Sequence, residues 1–184
     1  FGVPFTTWPD RADVPRNAAR PLRYMDRYVT ITQGEVFTIT EALAVLEGLE
    51  RGPAGNTSLT AAFAIAREMP EDQIVVVQET EYTGAGKHVT AQLTFARENG
   101  IEVRRGDPAD QVPGKNIIIP SDPSMIRPKD IPLHDLKTSY LKNAMKNRPA
   151  GAPAALTDAE TAFLAAEVRE TPEGLAALLA QLKG

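Results

Sequence analysis

Cysteine is absent from all 184 residues, so neither a disulfide framework nor a thiolate metal site can exist and the fold must stand on its core. Aromatic side chains are few: one Trp, four Tyr and six Phe are scattered along the chain, which leaves no stacking platform for nucleic-acid bases. Long apolar runs are missing too. None approaches the length that spans a bilayer, and the amino terminus lacks a basic-then-apolar signal segment, so the chain reads as cytosolic. An excess of positive charge is also lacking: 20 Lys and Arg stand against 24 Asp and Glu, a formal net charge of -4, which argues against a nucleic-acid binder. The first 27 residues depart from that average, with Arg11, Arg16, Arg20, Arg23 and Arg27 against Asp10, Asp13 and Asp26, and leave room for a local anion site.

What is present suits one globular domain with a real core, or part of a larger enzyme, because 42% hydrophobic and 24% charged residues are near globular averages. The chain opens on Phe1 inside a Pro- and Arg-rich stretch. That leads us to expect a natural start upstream or removed, with ordinary processing of a complete protein as the alternative.

Residues 1–27, with Pro4, Pro9, Pro15 and Pro21, show no sustained period and read as an irregular segment. Tyr28 to Thr32 alternates and is β-branched, a strand closed by Gly34. Thr38-Ile39-Thr40-Glu41 has the form of a capping box, and Ile39, Ala42, Leu43, Leu46 and Leu49 continue at helical spacing to about Arg51. Gly52-Pro53-Ala54-Gly55-Asn56 breaks that helix; a second begins near Thr57, with Leu59, Ala62, Phe63 and Ala66 on one face, and stops before Pro70. Ile74-Val75-Val76-Val77 is the pattern of a parallel strand covered on both faces, the best candidate for a central strand. The turn Thr83-Gly84-Ala85-Gly86 leads into a third helix, roughly Lys87 to Asn99, with short strands expected at 101–103 and 117–119. A helix over 133–147 follows, and residues 150–184 read as a Gly/Ala/Pro linker and a terminal helical pair opened by Thr157-Asp158-Ala159-Glu160 and Thr171-Pro172-Glu173. The expected fold is therefore α/β, an open and mostly parallel sheet with flanking helices in residues 28–149, plus a small carboxy-terminal helical segment.

The most specific local signal is Thr83-Gly84-Ala85-Gly86-Lys87, directly after the expected central strand and before a helix. Two glycines let backbone approach a ligand, and the carboxyl ends of parallel strands are where such sheets bind them. A Walker A loop is excluded, because Glu81 and His88 stand where that motif needs Gly and Ser or Thr. A tight strand-to-helix turn needs glycine in any case, so the motif alone leaves a structural reading open. His88 and His134 have no partner at ligand spacing and make no metal site, so no metal is expected.

The order of elements from Thr38 to Lys87 resembles the closing segment of the fold-type II pyridoxal phosphate (PLP) family, which includes tryptophan synthase β subunit, threonine synthase and cysteine synthase. The Gly-containing loop 47–55, the Ala-rich helix Leu59-Thr60-Ala61-Ala62-Phe63-Ala64-Ile65-Ala66, the Val-rich strand and the Thr-Gly-x-Gly turn carry it. The resemblance implies PLP as cofactor, with Thr83 on the pyridine nitrogen and Gly84, Gly86, Ala54 and Gly55 beside the ring. Thr83 as a plain helix cap stays open. Asn56, Ser58 and Lys87 would meet an anion of substrate or coenzyme A, although Ser58 also suits an N-cap and Lys87 an exposed surface.

Three stretches, 52–58, 79–87 and 136–144, further resemble the large (β) subunits of 2-amino-4-oxopentanoate thiolases, PLP enzymes of ornithine breakdown that cleave an amino-keto acid with coenzyme A to acetyl-CoA and alanine. That resemblance implies the carboxy-terminal part of an oligomeric enzyme, inactive by itself because the Schiff-base Lys would lie in a missing amino-terminal half or partner subunit. Lys115, Lys129, Lys137, Lys142, Lys146 and Lys183 sit in polar sequence and read as solvent-facing, which is unlike a Lys of depressed pKa. Two other functions stay in view: a PLP-dependent β-replacement or elimination lyase, and a non-catalytic anion-binding or assembly subunit.

Overall fold

The computed structural model describes residues 22–78, 88–151 and 153–182. It is a mixed α/β fold that divides into two compact units, one of residues 29–130 and one of residues 1–28 with 131–184.

In the first unit, strand β1 (Val29–Thr30) pairs antiparallel with β4 (Lys129–Asp130). Helix α1 (Gln33–Glu47) starts earlier than its sequence suggests. The capping box is Thr32-Gln33-Gly34-Glu35: the Glu35 carboxylate accepts from the Thr32 amide at 2.6 Å, and the Thr32 hydroxyl accepts from the Glu35 amide at 3.5 Å. The expected box at Thr38 lies inside the helix, where the Thr38 hydroxyl donates to the Gly34 carbonyl at 3.0 Å. Two Thr-x-x-Glu patterns stand six residues apart, and Gly34 disguises the first because glycine is a poor helix former. Its place has a packing reason. Gly34 does not close a strand; its backbone lies so close to β3 (Asn116–Pro120) that a Cβ would overlap the Ile118 carbonyl.

β3 pairs in parallel with β2 (Glu102–Gly106), as expected of both strands. α1 and helix α3 (Val89–Glu98) bury Phe37, Val89 and Ala96 against Ile117. On the outer side of β3 the Ile118 amide donates to the Gln111 side chain at 3.1 Å. α1 ends at Gly48 in the left-handed region (φ 66°), a conformation that glycine adopts without strain. Its last turns are open: Leu46 is 77% exposed, so the helical spacing found the helix but not the extent of its buried face.

The expected central strand is overturned. Residues 74–77 belong to no strand, and Ile74 and Val76 are 87% and 91% exposed. An apolar β-branched run becomes a strand only where neighbours supply hydrogen bonds and cover, and no described segment supplies them here.

In the second unit, α4 (Leu133–Lys146), α5 (Asp158–Val168) and α6 (Pro172–Gln181) pack Tyr140, Leu141, Leu164, Val168, Leu175 and Leu178 around Leu22. Glu167 is buried with them, paired with Arg23 at 2.8 Å and accepting from the Tyr140 hydroxyl at 3.3 Å. Lys137 is not solvent-facing as its sequence suggested; it is mostly buried and pairs with Glu170 at 2.6 Å. The α5 capping box forms as expected, and Arg148 reaches across to the Glu160 carboxylate and to the carbonyls of Pro153 and Ala155.

Two outcomes follow. In a helix away from contacts, Gly→Ala would stabilise by about 1 kcal/mol; Gly34→Ala should instead cost about 2–3 kcal/mol, because overpacking against β3 outweighs propensity, and urea denaturation reads the sign. The second concerns acid. Hydrogen bonds from the Thr157 backbone and from Arg148 hold the Glu160 carboxyl below its usual range, so its contribution is complete above that range and is lost as pH falls through the lowered value. Glu160→Gln should therefore lower stability at neutral pH and flatten its decline in acid, as pH-dependent thermal denaturation would record.

Candidate functional site

Of the residues singled out by sequence, Ala54, Gly55, Asn56 and Ser58 lie at the amino end of α2 (Asn56–Ala66). Gly52, Pro53 and Gly55 are buried in the loop before it, while Ala54 is exposed at the turn. The helix begins one residue before Thr57, and its N-cap is Gly55, which has no side chain; the Asn56 and Thr57 amides donate instead to the Gly52 and Ala54 carbonyls at 3.2 and 3.4 Å. Ser58 is therefore not the N-cap. It sits in the first turn, where its hydroxyl faces the Gly55 carbonyl at 3.2 Å and the Gln78 carbonyl at 2.9 Å.

Asn56 is fully buried. Its side-chain amide donates to the Thr40 hydroxyl at 3.0 Å, and that hydroxyl donates to the Val36 carbonyl of α1 at 2.8 Å. One turn on, the Thr60 hydroxyl donates to the Asn56 carbonyl at 2.7 Å. The buried stripe of α2 is thus Asn56, Thr60 and Ala64, with Leu59 and Phe63 half-buried beside it and Ala66 exposed. One atom is left over: the Asn56 Oδ1 acceptor is buried and has no hydrogen-bond partner among the described residues. A buried orphan acceptor costs about 1–3 kcal/mol, which makes it a place where a ligand donor or a further protein donor would be favoured.

The electrostatics point the same way. The Asn56 and Thr57 amides already donate to the Gly52 and Ala54 carbonyls, so what this helix end offers an anion is the positive end of the α2 dipole. Thr83, Gly84, Gly86 and Lys87 lie outside the described residues. Their flanks are placed. Gln78 is tied to the first turn of α2 through Ser58, and His88 precedes α3, whose Val89 is buried in the core with Phe37 and Ile117. His88 and His134 are exposed.

Sequence reasoning missed Thr40, Thr60 and Glu35. A signal existed for two of them: Asn56 and Thr60 share a helical face four residues apart, and Thr32 and Glu35 have capping-box spacing. Glu35 matters to placement because its second oxygen accepts from the Arg127 amide at 2.8 Å, fixing the loop after β3 against the start of α1.

No family model matches the chain, and no solved structure matches it. Two curated proteins do. The chain is 58% identical over 184 residues to a protein of Acetoanaerobium sticklandii named 2-amino-4-ketopentanoate thiolase beta subunit. It is 57% identical over 182 residues to a second protein of that name, from an unknown prokaryotic organism. The chain is thus similar along essentially its whole length to these two thiolase beta subunits and spans 39% and 38% of their lengths.

Proposed function

We propose that the chain is the carboxy-terminal portion of a PLP-dependent 2-amino-4-oxopentanoate thiolase β subunit of the fold-type II class, acting in ornithine breakdown. The observation that carries the reading is identity of 58% over all 184 residues of the chain. The activity belongs to the assembled enzyme, in which the Schiff-base Lys comes from outside these residues.

The geometry at α2 suits such a ligand in two respects. The buried Asn56 acceptor calls for a donor, and the α2 dipole favours an anion; PLP and an amino-acid substrate would between them carry both kinds of group. When bound, PLP supplies an electron sink for the negative charge left on the amino-acid side as the carbon–carbon bond to the acetyl group breaks. This chain's residues bind and orient. The positive end of the α2 dipole would attract a carboxylate or phosphate, Asn56 would accept from the ligand, and Ser58 would keep Gln78, and with it the start of the turn, at the same helix end. Thr83 would offer a neutral hydroxyl to the ring nitrogen, with Gly84 and Gly86 allowing the close approach, and Lys87 would meet an anionic group of substrate or coenzyme A.

The reading is tested with the complete subunit assembly, coenzyme A and 2-amino-4-oxopentanoate. Acetyl-CoA and alanine should form in equal amounts. Consumption of an amino acid with no acetyl-CoA would instead assign a replacement or elimination lyase, and no PLP absorbance in the assembly would leave an anion-binding subunit. Within the assembly, Thr83→Ala should lower kcat by about tenfold or more, since a lost hydrogen bond to a reacting group costs on the order of 1.5–3 kcal/mol. Thr83→Ser should keep most of it.

A further inference from the structure

We propose that Thr40 is the positioning residue of the candidate site: it locks the Asn56 carboxamide with its oxygen left for the ligand, so that the site takes an N–H or O–H donor of bound PLP. The inference rests on the PLP reading above and adds to it which side of the carboxamide the ligand meets and what fixes that side. Gln78, which leads into the turn at Thr83, is tied to this helix end through Ser58, so in that reading the donor belongs to the cofactor.

Proton counting carries it. A threonine hydroxyl has one proton to give. Thr40 gives its proton to the Val36 carbonyl at 2.8 Å, so only lone pairs remain toward Asn56. The Asn56 group 3.0 Å from that hydroxyl is therefore the amide nitrogen, and its oxygen is the atom without a partner among the described residues. The reverse orientation would set oxygen against oxygen at Thr40 and leave the nitrogen without an acceptor. The other polar atoms of Asn56 are in use: its backbone amide donates to the Gly52 carbonyl at 3.2 Å, and its own carbonyl accepts from the Thr60 hydroxyl at 2.7 Å. Asn56 is 0% and Thr40 7% exposed, so solvent does not stand in for either partner.

An apolar pair of the same size would hold α1 to α2 with no orphan acceptor, and exchanging both members of a buried polar pair for apolar groups is close to neutral. The two helices already meet through Ile39 and Ala64, with Leu59 and Phe63 beside them. Polarity at 40 and 56 therefore costs the free chain stability, and a donor arriving with the ligand restores it.

The test uses the complete assembly containing this chain, freed of cofactor and titrated with PLP, with Kd read from absorbance and Tm from thermal denaturation. Thr40→Val and Asn56→Leu should each raise Kd by about tenfold, as the loss of one buried hydrogen bond does. Thr40→Ser, which keeps the hydroxyl, should hold Kd within about threefold of the unsubstituted assembly. The pair Thr40→Val with Asn56→Leu should show the Kd of Asn56→Leu alone, because Thr40 acts only through Asn56, and should keep Tm within about 2 °C. A Kd unchanged by Asn56→Leu overturns the proposal and leaves the PLP reading standing. Binding by Thr40→Ser as weak as by Thr40→Val does the same, and so does a larger fall of Tm in the pair, which would make the ladder a support of the fold. An unsubstituted assembly that binds no PLP overturns both.

Discussion

Backbone meets backbone where the first turn of α1 lies against β3, with Gly34 beside the Ile118 carbonyl and no room for a side chain between them. That contact sets the depth at which α1 rides on the parallel pair, and the placements around it follow in order. Phe37, a turn further on, reaches Ile117 and the α3 residues Val89 and Ala96. Glu35, buried between Thr32 and Arg127, ties the same turn to the loop beyond β3 through two backbone amides. A helix seated one side chain farther out would break both.

The seating also decides where α2 begins. Thr40 stands on α1 with its hydroxyl donated to Val36, so its lone pairs face Asn56, and the Asn56 amide takes them. The candidate site is thus built on a short polar ladder between two helices and not on a loop alone, a more rigid support for a ligand. One oxygen of that ladder remains unspent among the described residues, at the end of a helix that lacks a side-chain cap.

Local signals were legible in the sequence where the chain's own residues complete the structure. The parallel pair at 102–106 and 116–120, the helix at 133–146 and the two capped terminal helices stand close to where spacing and capping chemistry put them, because their partners lie within these 184 residues. The run 74–77 was misread for the opposite reason: its composition answers to neighbours that the described chain does not provide. The start of α1 was misread because a glycine penalised by helix propensity is needed for close packing, which only tertiary structure reveals. Of the site, Ala54, Gly55, Asn56 and Ser58 do come together at one helix end, while the threonines that support Asn56 were hidden by looking for apolar stripes alone.

Arg148 turns a composition that suggests slack into something else. The stretch from Ala150 to Ala155 is made of Gly, Ala and Pro, yet one guanidinium grips two of its carbonyls and a carboxylate of the following helix. The segment therefore behaves as a clasp and not as a tether: α5 cannot swivel away from α4 without surrendering the Arg148 bonds to Pro153, Ala155 and Glu160 together. The terminal helices then report on their own core as one block, melting or staying with it.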